Sequence, residues 1–267
     1  MKIDPMMKVN PMKRELAAGG TVRGVGVYEF ATPGIGRILA AAGADFVLLD
    51  QEHTGWSANK LRPLVESAAS WGVVPILRPP GKDPHLIAAA LDTGAMGLML
   101  SAVEDAADAE RIVTASKYAP DGLRGVGLLY TDQLADGDEE ALLQRNREQL
   151  LIAIIETDLG IENVEEIAAV PGIDMLWLGH HDLSASLGIA GQFEHPTYVE
   201  AVNRMLAAGE AHGKAVGLTV DTRVPEGQMP TDGFRAFEIF DIGIFEHTVH
   251  TTLRTLPGGQ ENPSTRG

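Results

Sequence analysis

Two carboxylates stand at matching places in consecutive stretches of the sequence: Glu156 closes the apolar run Leu151–Ile155, and Asp182 follows the run Met175–Leu178. Short, wholly apolar runs of this kind read as parallel strands buried on both faces, so each acid falls at a strand mouth beside turn-prone residues. With no thiolate and no compact histidine cluster, the pair makes a hard-oxygen site suited to Mg²⁺ or Mn²⁺, with positions open for water and substrate. Other strand ends add Asp50, Glu52 and His53, then Arg78, Ser101 and Asp221. A guanidinium at Arg78 can grip a substrate carboxylate through two hydrogen bonds. His53 is the natural proton carrier, because an unperturbed imidazole titrates near ~6.5.

These residues need a scaffold that brings strand ends together, and the chain alternates strands with helices. The expected strands are Thr21–Phe30, Phe46–Asp50, Val73–Leu77, Leu98–Leu100, Leu151–Ile155, Met175–Leu178, Ala215–Val220 and Ile239–Phe245. Between them fall helices such as Pro33–Ala42, Ala58–Trp71 with the stripe Leu61, Leu64, Val65 and Ala68, and Glu104–Ser116. Further helices are expected over Glu139–Gln149, Glu162–Ala169, Pro196–His212, Phe234–Phe237 and His247–Leu256. Asp83-Pro84 has the form of an N-cap followed by proline and opens another. Such alternation demands parallel pairing with right-handed crossovers, and 267 residues favour a closed (β/α)₈ TIM barrel over an open sheet. The expected organisation is an arm and short helix over residues 1–20, the barrel as a single domain over 21–256, and a tail over 257–267. The irregular passage Tyr118–Asp138 is expected to lie over one end of the barrel.

Composition removes several function classes. A net charge of −16, from 37 acids against 21 bases, argues against nucleic acid or an anionic membrane as partner. No apolar run approaches the ~18 residues of a membrane span, and the first residues lack a secretory pattern. The absence of cysteine fits a reducing compartment, so the protein is expected in the cytoplasm.

Six segments together resemble the HpcH/HpaI aldolases, metal-dependent pyruvate aldolases on a TIM barrel: AGADFVLLDQEH (42–53), PILRPPGKDP (75–84), LDTGAMGLMLSAV (91–103), KYAPDGLRGVG (117–127), IIETDLGIENVEEIAAVPGID (154–174) and GHHDLSASLG (179–188). The resemblance implies that Glu156 and Asp182 hold a divalent ion (Mg²⁺, Mn²⁺ or Co²⁺) and that Arg78 holds the pyruvate end of the substrate. It also implies that His53 is catalytic, with Asp50 beside it and Asp92 paired to it, reached from a neighbouring subunit. The implied reaction makes or breaks 4-hydroxy-2-oxo acids through a pyruvate-type enolate, with a 2-oxo acid and an aldehyde as partners, in a homotrimer or homohexamer whose last helix packs on a neighbour. The alternatives are an acyl-CoA lyase of the citrate or malyl-CoA type, and a 2-oxo acid binding protein without catalysis.

The chain departs from the family pattern at Ile154, where many members carry glutamine, and at His180-His181, where Gly-Pro-x-Asp is common. On an extended segment adjacent side chains point opposite ways, so at most one of the two histidines is expected to face the pocket. His181 is the one expected to restore polarity lost at Ile154, while Ser101 and Arg124 are further substrate-binding candidates. Arg124 could instead tie down its own loop. His247-x-x-His250 lacks a third zinc ligand, and Asp132–Asp138 lacks calcium-loop acids at the required positions. Gly24-Val-Gly26 and Gly125-Val-Gly127 lack the third glycine of a dinucleotide fingerprint and are read as tight packing.

Overall fold

The computed structural model describes residues 9–127, 139–221 and 230–257. Strands β1 Val22–Val27, β2 Phe46–Asp50, β3 Val74–Arg78, β4 Gly97–Leu100, β5 Leu150–Ile155, β6 Met175–Leu178, β7 Ala215–Val220 and β8 Ala236–Phe240 pair in parallel and close on themselves in sequence order. The expected TIM barrel is therefore the fold. Around it run α2 Ile35–Ala42, α3 Ala58–Ser70, α4 Pro84–Leu91, α5 Ala106–Ser116, α6 Glu139–Glu148, α7 Asp158–Glu162, α8 Val164–Ala169, α9 His180–Ser186, α10 Pro196–Ala211 and α11 Asp241–Thr255. Ahead of them, α1 Pro11–Ala17 closes the base, with Met12 and Leu16 packed into the inner core beside Val22, Met96 and Leu150.

Local chemistry explains the boundaries. Asn10 caps α1 by accepting from the Met12 and Lys13 N–H groups, and Asp83 caps α4 ahead of Pro84. Gly43 ends α2 at φ 81, a left-handed turn that a side chain would strain. The expected stripe Leu61, Leu64, Val65 and Ala68 is buried against the strands.

Inside the barrel, bare backbone on one strand makes room for a large side chain from another. A Cβ at Gly24 would meet the Phe46 ring at 2.5 Å, and one at Gly217 would meet the Trp177 ring at 2.2 Å. One at Gly26 would meet Glu238 Oε1 at 2.1 Å. Tight packing thus accounts for Gly24 and Gly26. It does not account for Gly125 and Gly127, where an added Cβ meets nothing within 4 Å.

The expected helix Phe234–Phe237 and strand Ile239–Phe245 are overturned. The strand begins at Ala236, and α11 begins at Asp241. Ala236 and Glu238 are buried at period two, as inward strand positions require, while Ile242 and Phe245 belong to an exposed helical stripe. Asp241 fixes the switch, because its carboxylate accepts from the backbone N–H groups of Tyr28, Glu29, Phe30 and Ile242. The first arm residues, most of the tail, and part of Tyr118–Asp138 including Asp132–Asp138 lie outside the described residues.

Candidate active site

At the C-terminal end of the barrel is a cavity of about 210 Å³, whose wall includes His53, Arg78, Glu156, Asp182, Tyr28 and Glu238. On the β2–β3 side, the wholly buried Asp50 accepts a hydrogen bond from Arg78 Nε, the register pairing that places their Cα atoms side by side. Glu52 Oε2 lies 3.3 Å from the same nitrogen and accepts from Ser101 Oγ at 2.5 Å. Burial works against the guanidinium's charge, yet Tyr28, Asp50 and Glu52 outweigh it and raise Arg78 above its ordinary value. Arg78 is thereby a permanent cation held in place.

Asp50 meets His53 through the backbone, accepting from its N–H at 2.8 Å. The His53 ring is 65% exposed and lies 3.8 Å from Glu52 Oε2. Asp92 does not meet it within one chain. It ends α4 and pairs with Arg124 at 2.8 Å, and the Arg124 guanidinium lies over the Tyr118 ring at 4.6 Å. Of the two readings open for Arg124, the loop tie is the one observed in the single chain, for its side chain is 6% exposed against Asp92 and Tyr118.

Glu156, just past β5, spends Oε1 on the Ala102 N–H at 2.6 Å. Ala102 holds φ 50, a left-handed value that costs energy without glycine, and its carbonyl accepts from Lys82, which also pairs with Asp108. The turn is therefore held from both sides so that its N–H meets the carboxylate. The other Glu156 oxygen faces bare backbone, where a Cβ at Gly179 would come within 2.6 Å of it. Burial, with Asp182 and Glu52 adding negative charge, pushes the Glu156 carboxyl up to about 7, against the pull of Ala102 and Arg78. A cradle kept clear by glycine, with negative charge in excess, fits a hard divalent cation held by Glu156 and Asp182.

The histidine pair corrects the extended reading. His180 and His181 open α9, their rings 4.2 Å apart, and both line the cavity. Residues on the first turn of a helix diverge by about 100° rather than 180°. His181 Nε2 lies 3.0 Å from Oδ2 of the buried Asp221, and a ligand atom from each of His180, His181 and Asp221 falls within 4.8 Å of the others. A compact histidine cluster therefore exists where none was expected. His247 and His250 are exposed on α11 and join no such group among the described residues.

Sequence reasoning missed Tyr28 and Glu238. The signal was the alternation Ala236, Glu238, Phe240, obscured by placing a helix across its start. Burial and then the neighbouring Glu238 raise the Tyr28 hydroxyl well above its ordinary value.

The family model for HpcH/HpaI aldolase/citrate lyase matches residues 29–240. A hydroxypyruvate/pyruvate aldolase of Deinococcus radiodurans is 37% identical over 226 residues, 84% of this chain and 80% of that protein. A 5-keto-4-deoxy-D-glucarate aldolase of Salmonella paratyphi C is 32% identical over 188 residues, 70% of this chain and 73% of its own. The crystal structure of an HpcH/HpaI aldolase from Desulfitobacterium hafniense superposes with a TM-score of 0.84 at 31% identity, covering 94% of this chain and 99% of that one. On the family match and these relatives, this chain belongs to the HpcH/HpaI aldolase/citrate lyase family and is a lyase of the aldolase type.

Proposed function

We propose that this chain is a divalent-metal-dependent aldolase that cleaves or forms 4-hydroxy-2-oxo acids, releasing or using pyruvate or hydroxypyruvate as the 2-oxo acid and an aldehyde as the second reactant. The carrying observation is the convergence of Glu156, Asp182, the fixed Arg78 and His53 on one cavity. Glu156 and Asp182 would hold Mg²⁺, Mn²⁺ or Co²⁺, whose Lewis acidity stabilises charge developing on a keto oxygen. Arg78, immobilised by Asp50, receives the substrate carboxylate and orients the C3–C4 bond. His53 takes the proton of the C4 hydroxyl in cleavage and returns it in synthesis. Ser101 holds Glu52 beside Arg78, and His181, backed by Asp221, presents a polar edge opposite the apolar Ile154.

The working enzyme is a homotrimer or homohexamer in this reading. Two observations support it: Asp92 and His53 are unpaired with each other in one chain, and α11 exposes Ile242, Phe245, Val249 and Leu253 along one stripe. Asp92 of a neighbouring copy would complete the His53 pair, with Arg124 carried alongside. The absence of cysteine suits a cytoplasmic setting, and no helix among the described residues is long and apolar enough to cross a membrane. An acyl-CoA lyase would need cations for the CoA phosphates, and Lys82 is committed to Asp108.

The test uses protein stripped of metal, a panel of 4-hydroxy-2-oxo acids, and Mg²⁺, Mn²⁺ or Co²⁺ added back while 2-oxo acid release is followed. Release should require the metal and fall by about 10³-fold or more in Glu156→Ala and Asp182→Ala, a loss of transition-state stabilisation on the scale of a removed electrostatic partner. Equal release from the stripped protein overturns the proposal.

A further inference from the structure

The turn between β4 and α5 is held in a conformation that its sequence does not favour. Ala102, at φ 50, is the one non-glycine residue with a left-handed φ among the described residues. Three consecutive residues of this turn bond across the mouth. The Ser101 hydroxyl donates to Glu52 at 2.5 Å, the Ala102 N–H to Glu156 Oε1 at 2.6 Å, and the Val103 N–H to the Ile154 carbonyl of β5 at 3.1 Å.

What opposes the strain comes from outside the turn. Lys82, just ahead of α4, donates to the Ala102 carbonyl at 2.7 Å and to the Asp108 carboxylate. Asp108 is itself fixed on the first turn of α5: it is buried, its N–H donates to the capping Asp105 at 2.6 Å, and its other oxygen accepts from Arg111 at 2.5 Å. Neither Lys82 nor Asp108 is part of the cavity wall.

We propose that the Lys82–Asp108 pair positions Glu156 for a divalent cation through the left-handed Ala102 peptide, holding that ligand to one oxygen and so favouring Mg²⁺ or Mn²⁺ over Ca²⁺. The proposal rests on the metal-dependent reading and extends it. With Oε1 bonded to Ala102, Oε2 is the oxygen turned toward the cradle at Gly179. Mg²⁺ and Mn²⁺ suit single carboxylate oxygens in compact octahedral shells, whereas Ca²⁺ takes about six to eight oxygens and gains from a carboxylate that gives both. Once the turn relaxes, its N–H leaves Oε1, and Glu156 is free to swing or to chelate through both oxygens. Lys82 and Asp108 are thus positioning residues, acting on the ion only through Glu156.

Charge alone predicts the opposite sign. Deleting a cation near a cation site strengthens binding by simple electrostatics, and here it would also leave Asp108 less neutralised. Losing a contact that orients a metal ligand weakens binding, by about 10- to 100-fold in metal sites generally.

The experiment is calorimetric titration of the metal-stripped full chain with Mn²⁺ and with Ca²⁺, for wild type, Lys82→Met, Ala102→Gly and the double variant, with Asp108→Asn as a second way to loosen Lys82. Wild type should bind Mn²⁺ more tightly than Ca²⁺ by about tenfold or more, and Lys82→Met should weaken Mn²⁺ about tenfold and narrow that preference. Ala102→Gly alone should bind as wild type does. Added to Lys82→Met it should restore most of the affinity for Mn²⁺, because glycine adopts this φ without a clamp. Asp108→Asn should act in the same direction as Lys82→Met, by less. Unchanged or tighter Mn²⁺ binding in a folded Lys82→Met, an unchanged Mn²⁺ to Ca²⁺ ratio, or a weakening that Ala102→Gly does not reverse overturns the inference while leaving the metal site intact. If Lys82→Met does not fold, Asp108→Asn with and without Ala102→Gly decides by the same signs. Absence of divalent binding in wild type, or binding unchanged in Glu156→Ala and Asp182→Ala, overturns the metal reading and this inference with it.

Discussion

At the base of the barrel, Lys13 pairs with Asp174 at 2.8 Å and donates to the Gln149 carbonyl, Lys214 donates to the Ile173 carbonyl, and Arg235 donates to that of Leu16. Each cation there lies against oxygens that belong to the fold. At the mouth, Asp50 and Glu52 lie against Arg78, Glu156 and Asp182 line the same cavity, Asp221 pairs with His181, and the buried Glu238 forms part of the wall. Both ends are built by the same strands, so secondary structure does not explain the contrast. The base spends its polar groups on closing the barrel, whereas the mouth keeps negative charge in excess for a cation and a substrate to meet.

Arg78→Met would break the comparison hardest, because it leaves the wholly buried Asp50 with backbone N–H partners but without its cation. Removing one member of a buried pair costs about 3–5 kcal/mol, which urea unfolding would register together with loss of turnover. Adding Asp50→Asn should recover part of that stability without recovering activity. A fully stable Arg78→Met would mean that the pair contributes nothing to the fold.

The metal-free protein should lose stability as pH rises, and the mouth is the cause. Glu156 and Glu238 titrate at about 7 and about 8 when folded, against an ordinary value of 4.5. Over that window the folded state holds more protons than the unfolded one, so their contribution is full below 4.5 and is lost as pH passes through about 7 and about 8. Melting temperature against pH for wild type and Glu238→Gln checks the sign, with the decline flatter in the variant above pH 7. A steeper decline in Glu238→Gln would contradict the assignment. Divalent metal should raise the melting temperature most at the alkaline end, where Glu156 is free to bind it.

The smallest effect belongs to the base. Asn10→Ala removes the cap of α1 together with bonds to the Met96 and Glu148 carbonyls. It should cost about 1–2 kcal/mol and lower the melting temperature by several degrees, with kcat/KM unchanged. A change in kcat/KM larger than a few fold would show that the two ends are coupled after all.

Much of this contrast was legible in the chain. Buried parallel strands announce themselves as unbroken apolar runs, so the polar residue that ends a run is conspicuous, and Asp50, Arg78 and Glu156 are found that way, whereas Asp182 lies four residues past its strand on α9. Glu238 was not, because it sits within a strand, and one acid between apolar neighbours carries the same signature as a helix edge. His180 and His181 were misjudged for a related reason: two residues past the strand the backbone has already turned into α9, and the sequence carries no cap to mark it. The Asp92–Arg124 pair belongs to a third kind, a contact between segments more than 30 residues apart that no local pattern encodes.

The fit between Gly26 and Glu238 also constrains how this pocket can have changed. A methyl group at position 26 would lie 2.1 Å from the carboxyl oxygen at the end of the Glu238 side chain, so a residue larger than glycine there would oblige that side chain to shift. Positions 26 and 238 are therefore expected to vary together, a side chain at one coming with a shorter or displaced side chain at the other.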